Sequence, residues 1–441
     1  MADTIVIKNA DIVTLDSAGT IQRATDMAIT EGRIAAIGDV DASEADELID
    51  ATGCVVMPGF FNTHSHAAMS LVRGWAEDLP FPRWLNEKIW VAESALTSDD
   101  VYWGALLAAA EMIRSGTVAF NDHYFYMNRV AEAVGQSGLR AMLTQCVFGI
   151  GEDKEIGGGL DAALNFINEH DGAHEGRIRT ALGPHSPYIC PPDFLREIAR
   201  LAEELDQPVH IHLSETQEQI DVSREKYGKT PTEHLYDLGI FAGRAIAAHG
   251  LALTDDDLRI LAENDVVIAR TPITYMKLAM PMNQITDLQA AGITVTLGSD
   301  GPGSNNDMDM FAVMRQATLL EKYLGVDPER LAGDLPLRMA TQYGARALGF
   351  INSGVIEVGA TADVIVVDFN APHLYPRHDL VAHLVHSAKA GDVRHTIVDG
   401  KVLMRDRQLL TLDLPEILRQ AEAHAFRMVG ADMQQVRNYS G

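Results

Sequence analysis

CVVMPGFFNTHSH, residues 54–66, begins as an apolar run and closes on two histidines two positions apart. Side chains at i and i+2 of an extended chain share a face, so His64 and His66 point the same way where this strand ends. Seven comparable runs follow: TVAFND (117–122), RAMLTQCVF (140–148), RTALGPH (179–185), PVHIHL (208–213), AIAAH (245–249), DVVIA (265–269) and TVTLGSD (294–300). Short runs of this kind, separated by stretches with helical spacing, are the rhythm of βα units on a parallel sheet. One such stretch spans 99–115, with Thr97 as N-cap and Gly116 as stop; another, 193–205, starts behind Pro191 and Pro192. Eight units closing on themselves predict a TIM (β/α)8 barrel.

Working outward, both chain ends change character. Residues 3–9, 11–16, 26–30 and 33–38 alternate apolar and polar, and so do 354–359, 362–368, 395–400 and 401–406, with turns at Gly359 and at Asp399-Gly400. These strands predict a small β-sandwich domain built from both ends, residues 1–57 and 351–412, around a barrel at 58–350. A C-terminal helix occupies 413–441, its helical spacing running from Leu414 to Val436.

Bulk properties narrow the function. The 441 residues, 47% hydrophobic, suffice for one large core and a second, smaller one. With 35 basic against 62 acidic residues the formal charge is −27, which repels phosphate backbones and anionic membrane surfaces and argues against nucleic-acid or membrane partners. Cys54, Cys146 and Cys190 form no CxxC pair, which suggests neither a disulfide framework nor a thiolate zinc site and fits a reducing, cytoplasmic setting. The N-terminus alternates like a strand and carries no signal-peptide pattern, and the apolar run at 104–113 falls short of the ~20 residues a spanning helix needs.

In a TIM barrel, chemistry sits at the C-terminal ends of the strands. His64 and His66 end the first strand, His212 the fifth, His249 the sixth and Asp300 the eighth, while Glu215 lies three residues past His212. Imidazoles and a carboxylate converging on one opening suit a divalent metal, zinc first and ferrous iron second, with a position left open for water. His210 faces the same side one layer deeper and belongs to the core. His123, ending the second strand, is open between lining the pocket and a buried structural role. His234, His373, His378, His383, His386 and His395 lie away from the strand ends and are structural or solvated.

PGFFNTHSHAAMSLVRGWAEDLP, HSPYICPP, PVHIHLSETQEQI, AAHGLALT and GSDGPGSNNDMDMF resemble the deaminase and chlorohydrolase branch of the amidohydrolase superfamily, most of all its 5-methylthioadenosine/S-adenosylhomocysteine deaminases. The resemblance runs over nearly the whole chain. It implies that His64, His66, His212 and Asp300 bind one divalent metal, with Glu215, His249 and Asp300 catalytic. A bound ion can lower the pKa of water from about 16 to about 7. Asp300 would take the water's proton, His249 would hold the attacking oxygen, and Glu215 would protonate a ring nitrogen and then the leaving amine. The resemblance further places His185 near the substrate ring, makes Glu93 a clamp on the two ribose hydroxyls, and implies a homo-oligomer acting on a small heteroaromatic molecule.

Two departures bear on the substrate. Where the resembled deaminases carry an arginine at the end of the third strand, this chain has Gln145, and no arginine occurs between Arg140 and Arg177. A homocysteine carboxylate then lacks a bidentate partner, unless Lys154 reaches in, which disfavours adenosylhomocysteine. At the seventh strand, a His-Asn-Pro and Ser-Asn pattern is replaced by ARTPITYMKLAM, residues 269–280. The expectation is a hydrolytic deaminase of an aminopurine nucleoside or a related purine or pterin. An s-triazine hydrolase releasing chloride, alkylamine or thioalkyl is the alternative, and a non-catalytic scaffold would have shed one of these residues.

Overall fold

The computed structural model describes residues 4–43, 45–150 and 158–430. Eight parallel strands form the central sheet: Phe60–Ser65, Thr117–Tyr124, Arg140–Val147, Ile178–Pro184, Val209–Leu213, Ala245–His249, Val267–Arg270 and Val295–Leu297. They neighbour one another in chain order, and helices follow on the outside. Nearly every strand residue is buried, because the sheet is covered on both faces, which explains the continuous apolar runs. The helix Ser98–Ser115 begins with a capping box between Thr97 and Asp100 and stops at Gly116 in the left-handed conformation, φ +88°. Helix Pro192–Glu204 starts directly after Pro191.

The eighth strand closes on the first through side chains as much as backbone. Asn62 donates to Ser299 Oγ (2.6 Å) and accepts from Ser299 N (2.8 Å), Thr63 Oγ1 donates to the Leu297 carbonyl (2.9 Å), and Asp300 N donates to the His64 carbonyl (2.9 Å). Gly298 makes this seam possible: a Cβ there would stand 2.8 Å from the His64 backbone nitrogen and oxygen.

The quoted stretch 54–66 is two strands. Cys54–Pro58 lies in a second, mixed sheet, and Phe60–Ser65 opens the barrel, with Gly59 between them. Cys54–Pro58 pairs parallel with the N-terminal strand Thr4–Val13 and antiparallel with Val364–Asp368. Nine strands from both chain ends share this sheet. It curls back on itself, since Arg33 bridges Thr361 and Ala362 N donates to the Gly32 carbonyl (2.9 Å). Period-two alternation divides it between two cores: Val55, Met57, Ile365 and Val367 pack toward the barrel, whereas Cys54, Val56, Val364 and Val366 fill the sheet's own interior.

Details differ from the sequence reading. Residues 3–9 and 11–16, read as two strands, form the single strand Thr4–Val13, with a bulge where Asn9 takes φ +56°. Residues 354–359 form no strand, although Ile356 reaches the small core. The C-terminal helix is Leu414–Val429, capped by Gly430, and the rest of its expected span lies outside the described residues. No helix among the described residues is long and apolar enough to cross a membrane.

Candidate active site

His64, His66 and His212 come together at the C-terminal mouth of the barrel, their ligand atoms all within 4.8 Å of one another. Hydrogen-bond partners fix which nitrogen faces the centre. His66 Nδ1 lies 2.6 Å from the His123 carbonyl oxygen, and His212 Nδ1 lies 2.8 Å from that of His185. A carbonyl only accepts, so each Nδ1 bears the hydrogen and each Nε2 presents a lone pair. The two Nε2 atoms stand 3.4 Å apart. His64 Nδ1 contacts His210 Nε2 at 2.9 Å, and His64 Nε2, fully buried, has no hydrogen-bond partner among the described residues. His210, expected in the core, is thus the support behind His64.

Asp300 Oδ1 reaches the same space, 3.4 Å from His66 Nε2 and 3.7 Å from His64 Nε2. Ligands about 2 Å from a tetrahedral ion lie about 3.3 Å from each other, so this spacing fits a zinc-sized cation. Burial pushes the imidazoles of His66 and His212 down to about 4 and that of His64 well below the usual range. All three are neutral at pH 7, as ligands must be.

His249 lies across from this group with its ring stacked on His212, centroids 5.5 Å apart and planes at 17°. Its backbone is left-handed, φ +75°, and so is that of Asp300, φ +63°. Such conformations are uncommon outside glycine and gather at functional sites. Glu215 is buried and accepts a hydrogen bond from Tyr188 Oη (3.1 Å); burial pushes its carboxyl up to about 8. Glu93 is held likewise by Tyr124 Oη (2.7 Å), and burial pushes it up to about 7.

One cavity, about 740 Å³ including its mouth, joins His66, His212, His249, Asp300, Glu215 and Glu93. His185 and His123 also line it, and His123 is both buried and stacked on His212, centroids 5.0 Å apart. One wall is the helical segment 81–93, whose middle turn, Leu85–Ile89, is wound as a π-helix and which brings Phe81, Trp84 and Ile89 to the cavity. Phe125 and Phe148 stand among the remaining lining residues, with Leu278 and Met280 from the 269–280 segment.

Two expected site residues do not line the cavity: His64, which is buried behind it with the other ligand histidines, and Gln145, which is turned away. The Gln145 Oε1 accepts from Met127 N (3.2 Å), at the start of the preceding helix Met127–Ser137, and the next residue, Cys146, faces the cavity instead. Neighbours on a strand point to opposite sides, so the sequence placed the right strand in the wrong phase. Lys154 lies outside the described residues. Sequence reasoning missed Tyr188 and Tyr124, which hold the two glutamates, although each lies within three residues of a histidine it did single out.

The amidohydrolase family profile matches residues 55–403. The chain belongs to the amidohydrolase family. This amidohydrolase is 46% identical over 430 residues to a 5-methylthioadenosine/S-adenosylhomocysteine deaminase of Desulforudis audaxviator, covering 96% of this chain and 99% of the relative. It is 43% identical over 430 residues to a 5'-deoxyadenosine deaminase of Methanosarcina mazei, covering 97% and 99%. Among solved structures, an adenosine deaminase of Xanthomonas campestris with bound zinc superposes at a TM-score of 0.92, with 31% identity over 97% of this chain and 99% of that one.

Proposed function

We propose that this amidohydrolase is a zinc-dependent deaminase of aminopurine nucleosides, preferring an apolar group at the 5′ position of the ribose. The observation that carries the reading is Glu215: a carboxyl that burial keeps protonated at neutral pH, facing the same cavity as three convergent histidines and Asp300. Relatives named for deamination of 5-methylthioadenosine and 5'-deoxyadenosine support it.

His64, His66, His212 and Asp300 would hold the ion. Bound there, a divalent ion supplies acidification of a water molecule and polarisation of the reacting centre. The side chains do the rest. Asp300 accepts the proton from the attacking water. Glu215 donates its proton to the ring nitrogen next to the carbon bearing the amine, making that carbon electrophilic. His249 donates a hydrogen bond from Nε2 to the oxygen that becomes the product carbonyl. The amine departs as ammonia with the proton held by Asp300, and the second proton of the water, left on the attacking oxygen, passes to Glu215, so the oxygen becomes the product carbonyl and both carboxyls return to their starting state.

Substrate placement follows from the lining. Glu93 can accept two hydrogen bonds from a ribose cis-diol. Cys146, Phe125 and Phe148 offer a methylthio or deoxy terminus an apolar surface, and a zwitterionic homocysteine tail would lose its hydration against them.

A panel of adenosine, 5'-deoxyadenosine, methylthioadenosine, adenosylhomocysteine, aminopurines, pterins and s-triazines, assayed for ammonia, chloride and alkylamine, tests this. Ammonia from the nucleosides is expected, with kcat/KM for apolar 5′ groups about 10–100-fold above that for adenosylhomocysteine, the worth of one charged hydrogen-bonded contact. Chloride or alkylamine from triazines, without ammonia from any nucleoside, would overturn it.

A further inference from the structure

The departure at 269–280 places three side chains around His249. Arg270 is completely buried, and its guanidinium donates to the carbonyls of His249 (3.1 Å), Gly250 (3.0 Å) and Asn283 (2.6 Å). His249 and Gly250 are consecutive left-handed residues, φ +75° and +60°, and the guanidinium binds the carbonyl of each. Thr271 Oγ1 lies 3.3 Å and Tyr275 Oη 3.4 Å from His249 Nδ1. The Arg270 guanidinium also rests 5.2 Å from the Tyr275 ring centroid, tying the phenol to the same anchor.

The partners of Nδ1 differ in kind between His249 and the metal-site histidines. His66 and His212 direct Nδ1 at carbonyls, so their Nε2 atoms are lone pairs. His249 directs Nδ1 at two hydroxyls. Tyr275 Oη already accepts from Thr271 N (2.8 Å), and both hydroxyl residues are buried. The Thr271 hydroxyl also hydrogen-bonds Tyr275, so its hydrogen can go to Tyr275 Oη, whereas among the described residues the acceptor shown for the Tyr275 hydrogen is His249 Nδ1. Were Nδ1 protonated, it could only donate to these hydroxyls, and the Tyr275 hydrogen would lose its acceptor, at about 1–3 kcal/mol.

We infer that Thr271 and Tyr275 are positioning residues that hold His249 in the tautomer with its hydrogen on Nε2, while Arg270 fixes the backbone turn that aims the ring. The inference rests on the reading of His249 as hydrogen-bond donor to the reacting oxygen. The unusual segment thereby gains a role, in which two interchangeable hydroxyls guard one lone pair. Either alone satisfies Nδ1, so loss of both should exceed the product of the single losses.

The test is steady-state deamination kinetics on the zinc-loaded enzyme, with metal content and circular dichroism measured for every variant. Thr271→Val and Tyr275→Phe should each lower kcat less than about 10-fold, and the double variant should lower it by about 100-fold or more, the scale of a lost oxyanion donor. KM and zinc content should stay within about threefold of wild type, since the affected contact strengthens in the transition state. Thr271→Ser combined with Tyr275→Phe should match Tyr275→Phe alone, because serine restores the hydroxyl. Strictly multiplicative losses, or failure of serine to rescue, would overturn the inference in favour of packing. If the double variant does not fold, Thr271→Ala with Tyr275→Phe takes its place under the same criteria. His249→Ala separates the two levels: full activity there defeats the underlying reading, whereas an inactive His249→Ala beside an unaffected double variant defeats this inference alone.

Discussion

Replacing Glu215 by glutamine removes one capability and little else. The side chain keeps its volume, and its Oε1 can still accept the hydrogen bond that Tyr188 Oη makes at 3.1 Å. The group is already mostly neutral at pH 7, because burial pushes its carboxyl up to about 8. Glutamine therefore matches the resting charge and shape but cannot release a proton to the ring nitrogen. A positioned acid contributes about 10²–10⁴-fold, so kcat for ammonia release should fall by that factor. Zinc content should be unchanged, because Glu215 lies outside the three-histidine group. The pH dependence carries a sign. The acid form is present below about 8 and lost as pH rises through it, so wild-type kcat/KM should decline on that limb and the residual activity of Glu215→Gln should not. Activity within about threefold of wild type, or an alkaline limb that survives the substitution, would remove Glu215 from the mechanism.

Other perturbations probe the remaining parts. His212→Ala should deplete the metal, measured as bound zinc per chain after dialysis, and full occupancy would contradict its place in the ligand set. Glu93→Gln should raise KM for ribonucleosides by about 10-fold or more while leaving the 2′,3′-dideoxy analogue nearly unaffected, consistent with the worth of hydrogen bonds to a charged group. Gly298→Ala places a methyl 2.8 Å from the His64 backbone, and overpacking of this kind costs about 1–3 kcal/mol, so the urea midpoint should fall and zinc retention with it.

Much of this was legible in the sequence because a barrel turns a spatial rule into a linear one. A polar residue ending an apolar run stands at the mouth, and His64, His66, His212, His249 and Asp300 were found that way. The rule says which end a residue occupies, not which face, and Gln145 and Cys146 show the difference: both end the third strand, and only hydrogen bonding to Met127 N reveals which is turned away. Arg270 was hidden for another reason. A charged residue closing an apolar run reads as the start of a loop, and its complete burial becomes sensible only once the carbonyls of two left-handed residues on a neighbouring strand supply its partners. Likewise, CVVMPGFFNTHSH marks the passage of its two halves into different sheets only by the Pro58-Gly59 pair, because both halves are apolar and the divide is a single glycine.

That divided stretch also dictates when the protein is vulnerable. Cys54–Pro58 can pair with Thr4–Val13 on one side once both have left the ribosome, but its other side waits for Val364–Asp368, roughly 300 residues later. At about 5–20 residues per second, the wait lasts about 15–60 s. Throughout it, the nascent chain carries an open strand edge of valine and methionine with no charged residue to discourage pairing with another nascent chain. The seam that unites both termini in the finished molecule is therefore an edge that synthesis leaves open for most of the chain's length.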